Sequence, residues 1–314
     1  MPISIDNPLR GTIKLDTTIA RSGSCLNCHA ALVGPFCAQC GQRDIPPYPS
    51  TRELVVDAFW ELSGWDGRFA STVRALVQKP GMLTREFLAG RRARYLSPLR
   101  LYLLASLAYF VLAAAAPQVK LPGKDPQGFV VSTTTSKSRP ERVADAVSGS
   151  FDRGPALSSA DRAAALKDVE KAPALMRPTL QKAIGDPSGF KRGIAATMPR
   201  MLFALLPVFA AIVAVFYRRR KYPEHLYFAI HLHAFIFLAL CVAELAKFMR
   251  VTGIVETIGL ISVLWIPIYT TLAFRRVYGG SMAMTLAKEV AIGTIYVAVS
   301  AVAFVLMIYW VSVT

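Results

Sequence analysis

Four cysteines near the start of the chain stand in two pairs whose spacing is typical of a metal site. The stretch SCLNCHAALVGPFCAQCGQR, residues 24–43, contains Cys25, Cys28, Cys37 and Cys40 as two C-x-x-C motifs. Paired motifs of this kind are a zinc pattern, but the first one is followed by His29 and also spells C-x-x-C-H, the haem c attachment signature. The choice between zinc and haem c depends on the side of a membrane on which this segment lies.

The composition favours an integral membrane protein. The 314 residues are 54% hydrophobic, and the mean hydropathy is +0.40, which is more apolar than one soluble core of this length needs. The formal net charge is +16. In a membrane protein, such an excess of Lys and Arg serves orientation and contact with anionic lipid headgroups, so a nucleic-acid partner is disfavoured. The fifth cysteine, Cys241, lies in an apolar run and is predicted to be a small buried hydrophobe.

Five apolar segments are long enough to cross the hydrocarbon layer as helices. We therefore predict a mainly α fold, a helical integral membrane bundle of about five transmembrane helices with a small N-terminal zinc-ribbon-like knuckle. The predicted spans are Pro98–Ala116, Met201–Tyr217, Leu226–Met249, Ile254–Phe274 and Val290–Val313.

Basic residues next to the predicted spans indicate the orientation. Lys and Arg close to span ends favour the cytoplasm, and all three basic clusters face one side if the N-terminus is cytosolic and the C-terminus is outside. The first 24 residues have no apolar core of a cleavable secretory signal. The sequence thus predicts a multi-pass protein of the bacterial inner (cytoplasmic) membrane. The clusters are Arg85, Arg91, Arg92, Arg94 and Arg100; Arg218, Arg219, Arg220 and Lys221; and Arg275 and Arg276.

This orientation favours zinc over haem c. The cytosol is reducing, so clustered thiols stay available to a metal, whereas haem c attachment belongs to exported compartments. We predict one structural Zn²⁺ held by Cys25, Cys28, Cys37 and Cys40. His29 is then an accidental neighbour or, as the less favoured alternative, a substitute ligand.

The spans and motifs divide the chain into six regions. Helical spacing of apolar residues begins at Ser50 or Thr51, and two shorter helices, ASTVRALVQ and MLTREFLAG, end at Pro80-Gly81 and at Gly90. These helices either form a collar at the membrane surface or pack on the cytosolic face of the bundle, and the two arrangements are compatible. The predicted regions are a flexible tail (1–23), the head (24–43), cytosolic or interfacial amphipathic helices (50–96), span one (97–117), an extracytoplasmic loop (118–197) and a four-helix transmembrane region (198–314).

The long loop is rich in Pro, Ser, Ala and mixed charge, and we expect it to be a loose insert. One stretch in it, SSADRAAALKDVEKA, is typical of a capped helix that starts at Ser158 or Ser159.

Three stretches resemble bacterial inner-membrane proteins that are catalogued as a domain of unknown function. They are CLNCHAALVGPFCAQCGQR, LVQKPGMLTREFLAGRRARYLSP and YPEHLYFAIHLHAF. Outside residues 118–197 the resemblance covers most of the chain. It implies the multi-span topology and the zinc-ribbon-like head, and it implies no activity.

Ionisable residues inside predicted spans are candidates for function. Along one straight helix His231 and His233 point about 200° apart, so they cannot share one ion. Either these residues hydrogen-bond to neighbouring helices, or His233, Glu244 and Glu256 belong to a polar file that moves protons or ions, with an uncatalogued enzyme site as the third, least favoured alternative. The candidate intramembrane polar residues are Glu224, His225, His231, His233, Glu244 and Glu256.

The sequence contains no G-x-S-x-G, P-loop, H-E-x-x-H or G-x-G-x-x-G motif, so it predicts no enzyme. The preferred function is a scaffold or interaction protein whose zinc head docks a cytosolic protein partner. The alternative is a secondary transporter or an ion or proton pathway through the bundle.

Overall fold

The computed structural model describes residues 23–44, 68–117, 159–249 and 251–314. In these ranges the chain is mainly helical, and five helices are long and apolar enough to span a membrane, which confirms the predicted fold class. A short 3₁₀ helix, Lys247–Met249, extends α7. The α-helices are α1 Phe69–Gln78, α2 Met82–Leu88, α3 Pro98–Ala115, α4 Ser159–Val169, α5 Arg177–Gly185, α6 Pro187–Phe216, α7 Tyr222–Ala246, α8 Thr252–Tyr278 and α9 Met282–Val313.

Four of the spanning helices begin earlier than the hydropathy pattern predicts, and the difference is largest for α6 and α9. Helix α6 starts at Pro187 because Asp186 Oδ1 accepts the Gly189 N–H at 2.8 Å and proline is suited to the first turn. Helix α9 starts at Met282, where the Ser281 hydroxyl accepts the Met284 N–H at 3.4 Å. A hydropathy window finds the apolar part of a helix, whereas its caps decide where the helix begins.

Helix α7 is the centre of the bundle. It packs against α3, α6 and α8, and 61% of its apolar window is buried, compared with 11% for α9. Aromatic rings fill the contact with α8, where Phe235 and Tyr269 stack with their ring centroids 3.4 Å apart. Because α7 is enclosed by other helices, its polar side chains meet protein partners in place of lipid.

Helices α1 and α2 form a helical hairpin that packs on α7 and α8. The turn at Gly81 has a positive φ of 71° and lies directly on the α8 backbone at Ala273. The Tyr269 hydroxyl donates to the Leu76 carbonyl at 2.7 Å, and the Arg276 guanidinium donates to the Pro80 carbonyl at 2.7 Å. These contacts show that α1 and α2 pack on the bundle, which is one of the two arrangements predicted for them. The helix predicted from Ser50 or Thr51 lies outside the described residues.

The three basic clusters come together at one end of the bundle, which we call the basic end. The Arg220 guanidinium donates to the Val277 carbonyl at the end of α8. Arg276 reaches the helical hairpin, and Arg92 lies over the ring of Tyr227 near the start of α7. The basic end therefore contains the ends of α6 and α8 and the starts of α3, α7 and α9.

The described part of the predicted loop is packed at the opposite end of the bundle. Helix α4 begins at Ser159, as predicted, and buries Ala165 and Val169 against Ile184 of α5. Ser312 near the end of α9 donates to Thr179 of α5 at 3.0 Å. The expectation of a loose insert is therefore wrong for residues 159–185, because their few apolar side chains find partners in each other and in α9.

Candidate metal centre and buried histidines

The four predicted cysteines lie together in the head. Their sulfur atoms all lie within 4.8 Å of one another. The Cys25 and Cys40 sulfurs are 3.6 Å apart, and those of Cys28 and Cys37 are 3.5 Å apart. All four are free cysteines, and a tetrahedral metal with bonds of ~2.3 Å to each sulfur would place the sulfurs about 3.8 Å apart. The donor set and its spacing fit a metal ion.

The head is built from two copies of one turn. In the first copy, the Cys25 N–H donates to the Ala30 carbonyl and the Cys25 carbonyl accepts the His29 N–H, both at 2.8 Å. In the second copy, Cys37 makes the same two contacts with Gln42 and Gly41, at 2.8 and 2.9 Å. Isolated bridges close the turns at Ser24 and Ala31 and at Phe36 and Arg43.

This repeat explains the histidine that follows the first motif. His29 has a positive φ of 61°, and the equivalent residue of the second turn is Gly41, with φ 71°. The His29 side chain is exposed, and it is not in the group of side chains that could hold a metal ion. His29 therefore occupies a backbone position of the turn, and the cysteines alone form the cluster.

Backbone amides prepare one sulfur for metal binding. The pKa of the Cys37 thiol is lowered to about 7 because the N–H groups of Cys40 and Gln39 donate to its sulfur. The Asn27 N–H lies 3.4 Å from the Cys25 sulfur. Hydrogen bonds of this kind favour the thiolate, which is the form that binds a metal.

The head is docked on the bundle through Gln42 and Leu26, two side chains that the sequence analysis did not select. The Gln42 side-chain amide donates to the Gly90 carbonyl at 2.7 Å. Its oxygen accepts the Arg92 and Ala93 N–H groups at 3.1 and 3.2 Å. Leu26 packs on Gly90 so closely that a Cβ there would lie 2.6 Å from its Cδ1. The loop after α2 thus holds the head against the basic end.

The buried histidines of α7 point to different helices. His231 Nδ1 is 3.1 Å from the hydroxyl of Thr84 in α2, whereas His225 Nδ1 is 2.9 Å from the hydroxyl of Tyr278 in α8. The Nε2 atoms of both histidines are buried and have no hydrogen-bond partner among the described residues. His231 and Thr84 also line a small cavity beside Tyr269, with a volume of about 10 Å³, which is about the room that one water needs.

His233 connects α7 to α9. Its Nδ1 lies 2.8 Å from the Ala229 carbonyl, and its Nε2 lies 2.9 Å from the Tyr296 hydroxyl. A carbonyl only accepts, so Nδ1 carries the proton and Nε2 accepts from Tyr296. Both nitrogens of this imidazole are therefore satisfied within the protein.

The six candidate intramembrane residues do not form one site. Glu224 pairs with Arg220 at 2.7 Å and accepts the Lys221 N–H at the start of α7, and Glu244 pairs with Lys247 at 2.8 Å. Glu256 is exposed on α8. His231 and His233 contact different helices, which agrees with the angle predicted from helical geometry.

Replacing His233 tests whether this residue is structural. His233→Leu removes both hydrogen bonds, so we expect the free energy of unfolding to fall by roughly 1–2 kcal/mol per lost bond, whereas His233→Gln can still bridge the helices. Tyr296→Phe is the matched control that removes one bond from the other side. Thermal unfolding in detergent measures the effect. If a deletion gives a growth phenotype, a His233→Gln protein that is fully stable yet fails to complement it would indicate proton transfer instead.

The fold and the cysteine cluster together define a helical protein of a particular class. Five of its helices are long and apolar enough to span a membrane, and its head contains four cysteines that could hold a metal ion. One family, described as a protein of unknown function (DUF3667), matches residues 66–110. The matched segment corresponds to the helical hairpin, the loop that holds Gln42 and most of α3. No curated protein and no solved structure matches the chain.

Proposed function

We propose that the protein is a scaffold of the bacterial inner membrane whose cytosolic, zinc-loaded head docks a protein partner. Four thiolates in a reducing compartment favour Zn²⁺ over other common metals, and a single structural ion closes the two turns. The collected basic end supports a cytosolic position of the head, because Lys and Arg near spans favour the cytoplasm.

The observation that carries this proposal is the way in which the head is held. Gln42 and Leu26 face the loop after α2. In contrast, Val33, between the two turns, and Phe36, at the start of the second turn, are 92% and 59% exposed. Apolar and aromatic side chains fixed on a rigid support are suited to act as anchors for a protein partner. A structural metal would keep these two residues in place.

The contacts of the intramembrane residues favour a scaffold over a transporter. His233, Glu224 and Glu244 already have partners within the protein. His231 of α7 contacts Thr84 of the helical hairpin. The two histidine bonds join helices, which is the common role of polar side chains in spans, and the two glutamate pairs are local to the ends of α7.

Site-specific photocrosslinking in the full-length protein tests the docking role. A photoreactive residue at Val33 is expected to form an adduct with a cytosolic protein in cells, and the adduct should be lost in Cys37→Ser because the turns need the metal. The matched control places the same residue at Gln39, which is also exposed on the head. Equal adducts in the Cys37→Ser protein, or adducts with lipid alone, would contradict the docking role.

A further inference from the structure

A basic cavity at the basic end has no part in the proposed role of the head. It has a volume of about 580 Å³ and lies between the loop that joins α6 to α7 and the start of α9. This volume is within the range of small-ligand sites. Its wall contains cations and aromatic rings, and its rim is apolar.

Three cations in the cavity wall lack a carboxylate. Arg218, Arg219 and Lys288 line the cavity, and within the described residues none of the three pairs with Asp or Glu. The Lys288 ammonium donates to the Phe216 carbonyl at 3.2 Å, which uses one of its three protons. Nearby Arg220 is different, because Glu224 neutralises it. Among the described residues that line the cavity there is no Asp or Glu, so this lining carries net positive charge.

The wall between these cations is rigid. Tyr217 and Tyr278 stack with their centroids 4.3 Å apart, and the Lys288 ammonium lies 4.4 Å from the centroid of the Tyr217 ring. The His225 ring fixes Tyr278 from behind through its hydroxyl. Lysine is thus held in place against an aromatic face, which reduces the ordering cost of binding an anion.

The rim of the cavity is apolar on the side of the spanning helices. Val215 of α6 and Met284 of α9 line it, and they are 58% and 57% exposed. Both belong to helices long and apolar enough to cross a membrane. A ligand that places an anionic group among the cations would meet apolar side chains next to it.

We propose that this cavity binds the phosphate group of an anionic glycerophospholipid, with the acyl chains along Val215 and Met284. Arginine suits phosphate because its guanidinium offers paired donors to the oxygens. Basic pockets between spanning helices are typical sites for anionic headgroups. A soluble phosphate ester offers the same phosphate chemistry without using the apolar rim.

Binding of defined lipids to the purified full-length protein tests the site. Phosphatidylglycerol, phosphatidylcholine with the same acyl chains, and glycerol 3-phosphate are titrated separately, and bound ligand is measured by native mass spectrometry. We expect phosphatidylglycerol to bind about tenfold or more tightly than phosphatidylcholine, which is the size of effect of one charge-assisted contact. The double variant Arg218→Gln/Arg219→Gln should lose that preference, and Arg218→Lys/Arg219→Lys should keep most of it.

A matched double variant separates a built site from general surface charge. Arg94→Gln/Arg275→Gln removes the same charge from two exposed residues of the basic end that do not line the cavity. It should leave the affinity unchanged within about twofold. Glycerol 3-phosphate binding as tightly as the lipid would contradict a lipid ligand, because the apolar rim would then contribute nothing to binding. An equal loss in the control variant, or no preference for phosphatidylglycerol, would overturn the proposal.

Discussion

Replacing Cys37 with Ser is expected to remove the metal and unfold the head while the helical bundle stays folded. Among residues 23–44 only Cys25 and Cys37 are buried, so a bound metal would supply most of the folding free energy of the head. Structural zinc in small domains contributes roughly 10–16 kcal/mol of apparent binding free energy at neutral pH. The bundle has its own core around α7, and its thermal unfolding should change little.

Elemental analysis of the purified protein measures the first effect. We expect about one zinc per chain in the natural protein and less than about a tenth of that in Cys37→Ser, since three thiolates leave a structural site open. Cys241→Ser is the matched control, because this cysteine lies in α7, away from the head. Zinc retained after all four head cysteines are changed to Ser, or a haem absorbance band, would show that the assignment is wrong.

Gly81→Ala should detach the helical hairpin from α8. The new Cβ would lie 2.9 Å from the Ala273 carbonyl oxygen and 3.1 Å from its Cα, and backbone atoms of a helix cannot move aside easily. The positive φ of 71° destabilises alanine further, because in this conformation its Cβ comes too close to the following carbonyl oxygen. Together we expect the free energy of unfolding to fall by about 2–5 kcal/mol.

Hydrogen exchange followed by mass spectrometry separates detachment from general destabilisation. Amides of residues 69–88 should exchange at least about tenfold faster in Gly81→Ala, because α1 and α2 are too short to be stable without the bundle. Gly279→Ala is the control: Gly279 also has a positive φ, of 74°, but no atom lies within 4 Å of an added Cβ. It should leave the hairpin protected. Unchanged exchange of the hairpin in Gly81→Ala would contradict the close packing described above.

The hairpin connects the head to the body. The loop after α2 binds Gln42, Thr84 of α2 contacts His231, and Leu76 of α1 accepts from Tyr269. The family match to residues 66–110 covers this connecting unit. Loosening the hairpin should therefore free the head from the basic end without removing its metal.

Several features of the protein follow from neighbours in sequence. The two C-x-x-C motifs fix the sulfur cluster because each turn is closed by its own backbone bonds. The spans can be predicted because hydropathy over about 20 residues is a local property. The turn residues Pro80-Gly81 and Gly90 likewise predict where α1 and α2 end. The same local geometry predicts that His231 and His233 face different helices.

Other features depend on residues that are distant along the chain. Gln42 and Gly90 are 48 residues apart, and Thr84 and His231 are 147 apart. The sequence shows a glutamine after a cysteine-containing turn and a threonine in a short helix, and neither has a local pattern that indicates a partner. The basic cavity likewise needs the ends of α6 and α8 beside the start of α9. Local spacing and hydropathy thus determined the cysteine cluster and the spans. Only the packing of the helices decided where the head is held, how the histidines are satisfied and where the unpaired cations meet, because contact between distant residues depends on how the whole bundle closes.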